Sequence, residues 1–429
     1  MALGQEGARA SVDLEATEMA IRTSMHKVGG VFLEKLLDRD NGHRGPRVPC
    51  GKGHEAGFVG YRAKEMETVL SAIRVNRAYY HCAVCKRGMA PKDLDLDIVS
   101  TSFSPGLRRL MARVGGKEAF DEGRRDLEEL AGVFVTTKAV ERVSECLGEE
   151  IESVAQRERK AALSGKIVQI RPVPRMYVEM DGTGVPMVPR ETEGRRGKDE
   201  TGRAKTRELK LGSVFTQTGV DKEGRPVRDE GSTSYVGAIE SAEEFGRRIF
   251  TESIRRGSRF AEQIVVLGDG APWIWNLAAM HFPKAIEIVD LYHAREHVSE
   301  LTKVVWEPGS GEEIQWAGER IKELDDGNVE AILGAMARLQ PRTDAAKDAI
   351  RKAIAYFQTN AGRMRYRNFR AQGLFVGSGV VEAGCKTIAG TRLKQSGMQW
   401  TVRGANAIVA LRCCQLSGRW EQYWENRAA

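Results

Sequence analysis

Two short apolar runs in the second half of the chain each stop at the dipeptide Asp-Gly. The first is Met176-Tyr-Val-Glu-Met-Asp181-Gly and the second is Ile264-Val-Val-Leu-Gly-Asp269-Gly. Apolar runs of this length closed by glycine predict buried strands. A carboxylate at such a strand end is costly to bury unless something positive neutralises it. A third acid, Glu382, stands in Gly377-Ser-Gly-Val-Val-Glu382-Ala-Gly-Cys-Lys, again a mostly apolar setting. Two or three carboxylates meeting at strand ends make a site for hard divalent cations, which take oxygen ligands. Taken singly, Asp-Gly is also a common turn pair that needs no function.

The surrounding pattern alternates. Residues 176–181, 209–218 and 233–239 read as strands, 241–256 as a helix, 263–268 as a strand, 273–281 as a helix and 286–290 as a strand. Residues 296–372 read as almost wholly helical, and a further helix begins near Glu382. Three hairpin strands followed by β-α-β-α predict an α/β fold, a mixed sheet with helices on its faces. On a strand, Tyr177, Glu179 and Asp181 share one face, while Val178 and Met180 point the other way into the core.

The first 170 residues differ. Residues 12–38 have helical spacing, with Leu14, Ile21, Met25, Val28, Phe32 and Leu36 on one stripe. Residues 42–92 are glycine-rich and hold Cys82-Ala-Val-Cys85 and Cys50-Gly-Lys-Gly-His54. Four soft or borderline ligands on two turns predict a closed, structural Zn²⁺ site on Cys50, His54, Cys82 and Cys85, with His81 or His43 as substitutes for the fourth position. Cys385, Cys413 and Cys414 lie in helical patterns and read as core thiols. Residues 119–131 and 137–150 form a helix-turn-helix candidate through Gly132 to Thr136, with Thr136 or Thr137 as cap and Lys138, Glu141, Arg142 and Glu145 outward. Pro172 and Pro174 mark a boundary.

The balance of charge permits a nucleic-acid partner without requiring one: 66 Lys and Arg against 59 Asp and Glu, formally +7. Basic residues gather at 195–210, where Arg195, Arg196, Lys198, Arg203, Lys205, Arg207 and Lys210 join the first two strands, and at Arg392 and Lys394. The aromatic residues Trp400, Trp420, Tyr423 and Trp424 read as packing anchors. Seven scattered cysteines do not make a disulfide framework, no apolar run approaches a membrane span, and the first residues lack a secretion signal. The expected location is cytoplasmic.

Four motifs in order resemble bacterial insertion-sequence DDE transposases of the Mutator-like group and their ISKra-type relatives. They are Tyr177-Val-Glu-Met-Asp-Gly-Thr183, Gly268-Asp-Gly-Ala-Pro-Trp-Ile274, Val289-Asp-Leu-Tyr-His-Ala294 and Gly377-Ser-Gly-Val-Val-Glu382. The resemblance covers about residues 175–425 and is weaker over 1–170. It implies a ribonuclease H-like mixed-sheet core at 171–295 plus 373–429, interrupted by an α-helical insertion at 296–372. Ahead of that core the chain's own patterns predict an N-terminal helix at 1–41, a zinc-binding module at 42–92 and a helical region at 93–170, to which the resemblance assigns DNA binding.

Asp181, Asp269 and Glu382 would hold two Mg²⁺ (or Mn²⁺) ions for in-line phosphoryl transfer on DNA. Asp290-Leu-Tyr-His293 matches the family's (Cys/Asp)-x-x-His signature and would place His293 beside the scissile phosphate; the alternative is a strand-end Asp capping the next helix. The family usually carries two Cys-x-x-Cys pairs where this chain has Cys-x-x-x-His and one Cys-x-x-Cys. The implied function is DNA transposition: metal-dependent cleavage and strand transfer of insertion-sequence ends. The partners would be double-stranded DNA, as transposon ends and target, and a second copy of the chain, with no membrane. The rival readings are a domesticated, non-catalytic DNA-binding protein and a structure-selective DNA nuclease with the same core.

Overall fold

The computed structural model describes residues 13–166, 173–197 and 204–428, which form two compact units, Met1–Ser144 and Glu145–Ala429. Lys198 and Arg203 of the basic stretch, and Pro172 at the expected boundary, lie outside the described residues.

The first unit opens with helix α1 (Leu14–Leu37), whose N-cap Asp13 accepts from the Ala16 N–H. An antiparallel sheet follows: β1 (Arg47–Pro49), β2 (Glu55–Glu67), β3 (Ala72–Cys82) and β4 (Arg87–Met89), paired in sequence order. Alternation in β3 buries Ile73, Val75, Ala78, Tyr80 and Cys82, as a half-buried strand requires. α1 packs on β3: the Arg74 N–H donates to Glu34 at 2.8 Å and Gly30 lies against the Ser71 side chain. The predicted stripe of α1 is not the face used. Leu14, Ile21, Met25, Val28 and Phe32 are all exposed, and the helix packs through the opposite side, where Gly30 permits close approach.

Helices α2 (Pro91–Asp95), α3 (Pro105–Lys117), α4 (Phe120–Ala131) and α5 (Thr137–Leu163) follow. α4 stops at Gly132, which takes the left-handed φ of 65° that favours glycine. Thr136 caps α5, its hydroxyl accepting from the Ala139 N–H at 3.1 Å. The Thr137 hydroxyl donates to Asp121 of α4 at 2.8 Å, and Lys138 pairs with Glu141. α5 runs well past residue 150, straight through Gly148, because no proline interrupts it. On α4, Leu127 is buried and Leu130 is exposed.

The second unit is built on a five-stranded mixed sheet. Its strands are β5 (Val173–Pro186), β6 (Thr206–Gln217), β9 (Ser234–Ala238), β10 (Ala261–Gly268) and β11 (Ile286–Val289), in the spatial order β11-β10-β5-β6-β9. A two-residue pair, β7 (Gly219–Val220) with β8 (Pro226–Val227), sits apart from it. β5, β6 and β9 are antiparallel neighbours, and β10 and β11 run parallel to β5. α6 (Ala242–Arg255) and α7 (Pro272–His281) make the crossovers. Both faces of β5 are covered, so Met176, Tyr177, Val178, Glu179 and Met180 are all fully buried.

β5 does not end at Asp181, as its apolar run predicts. It continues to Pro186 because β6 pairs with it as far as Pro186↔Thr206. On its other side β10 pairs only as far as Leu267↔Glu179, so Asp181 stands at the carboxyl edge on the parallel side alone.

After β11 come α8 (Leu291–Val305), α9 (Gly311–Asp325), α10 (Val329–Ala337), α11 (Asp344–Asn360) and α12 (Tyr366–Ala371). They pack around Leu324, Ile332, Met336 and Phe357, in a cluster continuous with the sheet core. The chain then returns to the sheet as α13 (Gly379–Gly384), a π-helical turn at Cys385–Gly390 and α14 (Thr391–Leu393). α15 (Val402–Leu416) and α16 (Trp420–Ala428) close the unit, with Trp400, Trp420 and Trp424 buried as the anchors expected.

Candidate functional site

The sheet register brings three carboxylates into a row. Leu267 is level with Glu179, so two residues further on Asp269 comes level with Asp181. Gly268 is level with Val289, so Asp290 comes level with Asp269. Adjacent strands are about 4.8 Å apart, and carboxyl ends of parallel strands are where open α/β sheets gather ligands. Burial pushes the Asp181 carboxyl above the ordinary range, the Asp269 charge adds to the rise, and the Cys385 thiol and His293 oppose it. Asp269 forms a tight turn: its Oδ1 accepts from the Ala271 N–H at 2.9 Å, and its carbonyl accepts from the Tyr356 hydroxyl at 3.0 Å. Gly270 has φ of 102°, and a Cβ there would strike the Tyr356 ring, so this turn needs glycine twice over.

Three side chains on one face of β5 hold the returning segment, rung by rung. The Tyr177 hydroxyl accepts from the Phe375 N–H, Glu179 accepts from the Val381 N–H at 2.7 Å, and Asp181 lies beside the Cys385 thiol. Glu179 also accepts from Ser213, its neighbour on β6, at 3.2 Å. Glu382 stands three residues before Cys385, whose thiol lies beside Asp181. The Glu382 carboxylate itself is half exposed and pairs with Lys386 at 2.7 Å. Among the described residues, Asp181, Asp269 and Glu382 do not form a closed set of ligand atoms.

Asp290 is a buried strand-end Asp that caps α8. Its Oδ1 accepts from the His293 N–H at 2.8 Å and lies 3.3 Å from the His293 Nδ1. Its Oδ2 accepts from the Ser378 N–H and, at 2.8 Å, from the Ser378 hydroxyl. The hydrogen bond to Asp290 raises the His293 imidazole to about 9, so the ring is a cation at neutral pH, beside Asp269. His297, one turn further along α8, stacks on Tyr356 with ring centroids 3.8 Å apart. Ser213, Tyr356, Ser378 and Cys385 support the row, and sequence reasoning missed all four. Only Cys385 left a signal, its three-residue offset from Glu382.

The two basic features separate. Arg392 is fully buried over the Trp400 ring, so it belongs to the core and not to a phosphate surface. Lys210 is buried and bonded to Glu208 at 2.6 Å. Lys394 is placed differently: its Nζ donates at 2.5 Å to Thr183, two residues beyond Asp181 on β5. A groove of about 1170 Å³ is lined by Arg190, Arg195, Lys205, Glu193, Gln395 and Gln399.

In the first unit, Cys50, His54, Cys82 and Cys85 bring one ligand atom each within 4.8 Å of all the others, as the spacing predicts. The Cys50 and Cys85 sulfurs are 3.7 Å apart, and His54 Nδ1 is 3.2 Å from Cys85 Sγ. A tetrahedron with Zn–S bonds of about 2.3 Å has edges of about 3.8 Å, so the donor set and its size suit that ion. The Lys52 N–H is the main cause that lowers the Cys50 thiol to about 6, the form that ligates. His43 is not part of the set; it packs edge-on against Phe58.

No helix among the described residues is long and apolar enough to cross a membrane. No curated protein matches the chain. Among solved structures it is similar to the Drosophila P element transposase strand transfer complex, at 7% identity and a TM-score of 0.23, over 79% of this chain and 84% of that one. A likeness of that extent carries no argument about this chain. The family match is extensive: residues 14–427 fit the model of the uncharacterised protein family UPF0236, and the chain belongs to that family.

Proposed function

We propose that the chain is a DNA transposase that cuts and joins DNA ends by metal-dependent phosphoryl transfer on a ribonuclease H-like core. The observation that carries this reading is the register of β5, β10 and β11, which sets Asp181 and Asp269 level at the carboxyl edge, with the Cys385 thiol, three residues after Glu382, beside Asp181. The strand order β11-β10-β5-β6-β9, with three antiparallel strands followed by two parallel ones, supports the same core.

The residues fit a hard cation. Asp181 is a partly buried carboxylate whose charged form is disfavoured by burial and by Asp269, a deficit that a positive ion relieves. Asp181, Asp269 and Glu382 would be the holders, with Glu382 exchanging its Lys386 partner for the ion. Bound Mg²⁺ or Mn²⁺ supplies an activated oxygen nucleophile and stabilises the leaving oxygen. The chain's own groups do the positioning. Cys385 orients Asp181, Glu179 and Asp290 fix the entry to the Glu382 helix, and the His293 cation faces phosphate charge. Lys394 and the groove beside it would guide the DNA backbone. In the first unit, Cys50, His54, Cys82 and Cys85 would hold a structural Zn²⁺ that stabilises a DNA-binding module.

The second reading, a non-catalytic DNA-binding protein on the same fold, is favoured by the Glu382–Lys386 pair, which leaves the third carboxylate turned to a lysine. Incubating the full chain with the DNA that flanks its own gene, with and without Mg²⁺, separates the two. The transposase gives Mg²⁺-dependent nicks at defined ends; the binding protein gives retention without nicks.

A further inference from the structure

Helix α1 has two apolar faces on opposite sides. One, through Gly30, Leu33 and Leu37, packs against β3 and its neighbours. The other carries Leu14, Ile21, Met25, Val28 and Phe32, each between 59% and 66% exposed. At about 100° per residue these five fall within an arc of about 60°. Their spacings alternate between three and four residues, or sum to seven, which is the narrow seam of a coiled coil and not the broad face of a helix packed on a sheet. A contiguous apolar stripe of this length left in water marks an interaction surface.

The polar residues on the seam select the occupant. Glu18 and Lys35 fill the two seam positions that the apolar set leaves; both are exposed, and neither has an ion-pair partner among the described residues. If two α1 helices met parallel and in register, Glu18 would face Glu18 and Lys35 would face Lys35. If they meet antiparallel about a two-fold axis passing between His26 and Lys27, Ile21 faces Phe32, Met25 faces Val28 and Glu18 faces Lys35. Every seam residue from 18 to 35 then meets a complementary one, and the self-complementarity is what an isologous interface requires.

We infer that α1 is a self-association helix, pairing antiparallel with α1 of a second copy of this chain. The five exposed side chains supply on the order of 600 Å² per helix, close to the about 800 Å² per partner of a standard interface. Neither α1 nor its seam enters the carboxylate site, so this inference stands apart from the transposase reading.

Sedimentation equilibrium and light scattering on the full chain test it. Wild type should be a dimer at about 10 μM. Met25→Glu with Val28→Glu should weaken association at least about 100-fold, by placing carboxylates in the seam centre. Glu18→Lys and Lys35→Glu should each weaken it about tenfold, because each turns two attractive contacts into two repulsive ones, and the double reversal should restore the dimer. These last variants change exposed residues only, so their folding, read by circular dichroism, should match wild type. A monomeric wild type, or a dimer indifferent to the Met25 and Val28 changes, would overturn the interface. A double reversal no better than the single ones would overturn the antiparallel register.

Discussion

The Oε2 atom of Glu179 accepts the Val381 N–H at 2.7 Å, joining the buried middle of the central strand to the helix that carries Glu382. The other carboxyl oxygen, Oε1, is buried without a hydrogen-bond partner among the described residues. Burial pushes this carboxyl up to about 8 from an ordinary 4.5. The group is therefore protonated in the folded chain at pH values where the unfolded chain has released the proton. Its effect on stability follows the sign of that difference.

Stability should be fullest below about pH 4.5 for this group and should decline as pH rises through about 8. Glu179→Gln keeps the acceptor oxygen and removes the proton, so it should flatten that decline. Glu179→Ala should cost about 1–3 kcal/mol by leaving the Val381 N–H and Ser213 hydroxyl without their acceptor. Urea unfolding at about pH 5 and about pH 8, without added divalent ions, checks both. A pH slope unchanged in Glu179→Gln contradicts the assignment.

Asp290 and His293 give a second test. Asp290→Asn should return the His293 imidazole from about 9 toward its ordinary 6.5, because the hydrogen bond from the ring to the carboxylate is the largest cause of the rise. An NMR titration of the ring protons reads this directly. His293→Ala should impair DNA cleavage more than DNA binding; equal cleavage with lower stability would leave His293 a purely structural member of the α8 cap.

One Zn²⁺ per chain is expected on Cys50, His54, Cys82 and Cys85. Elemental analysis of protein purified without chelator should find it, and Cys82→Ser should lose the metal and weaken DNA-end binding while the second unit stays folded. Absence of zinc in wild type would end the assignment.

DNA affinity should be steeply salt-dependent. Replacing Arg190, Arg195 and Lys205 along the groove with alanine should lower affinity for all sequences, and flatten the slope by up to about one unit per lost phosphate contact. A slope equal to that of wild type would mean the groove faces solvent only.

The alternation of apolar runs made the sheet legible, because strands buried on both faces write themselves as continuous apolar segments. The thiol cluster was legible for a related reason: close ligand spacing is local. What the sequence hid was long-range or two-sided. The extension of β5 past Asp181 depends on β6, 20 to 28 residues away, and no local signal marks it. The burial of Arg392 depends on Trp400 covering it. On α1 the stripe was visible but its role was not, since a second apolar face at Gly30 does the packing and small residues give little hydrophobic signal. Ser378 was invisible as a support because its partner, Asp290, lies far off in sequence.

The most direct test of the account is DNA cleavage by Asp181→Asn, Asp269→Asn and Glu382→Gln. Each change keeps the side-chain shape and removes one negative charge from a site meant to hold divalent ions about 4 Å apart. Wild type should cut the DNA flanking its own gene in Mg²⁺ or Mn²⁺, with Ca²⁺ supporting binding but little chemistry. The three variants should each lose cleavage to a similar degree, bind the same DNA ends nearly as wild type does, and show no further loss in combination. If wild type cuts its ends and Glu382→Gln cuts equally well, Glu382 is not the third ligand; if wild type shows no metal-dependent cleavage at all, the transposase account is wrong.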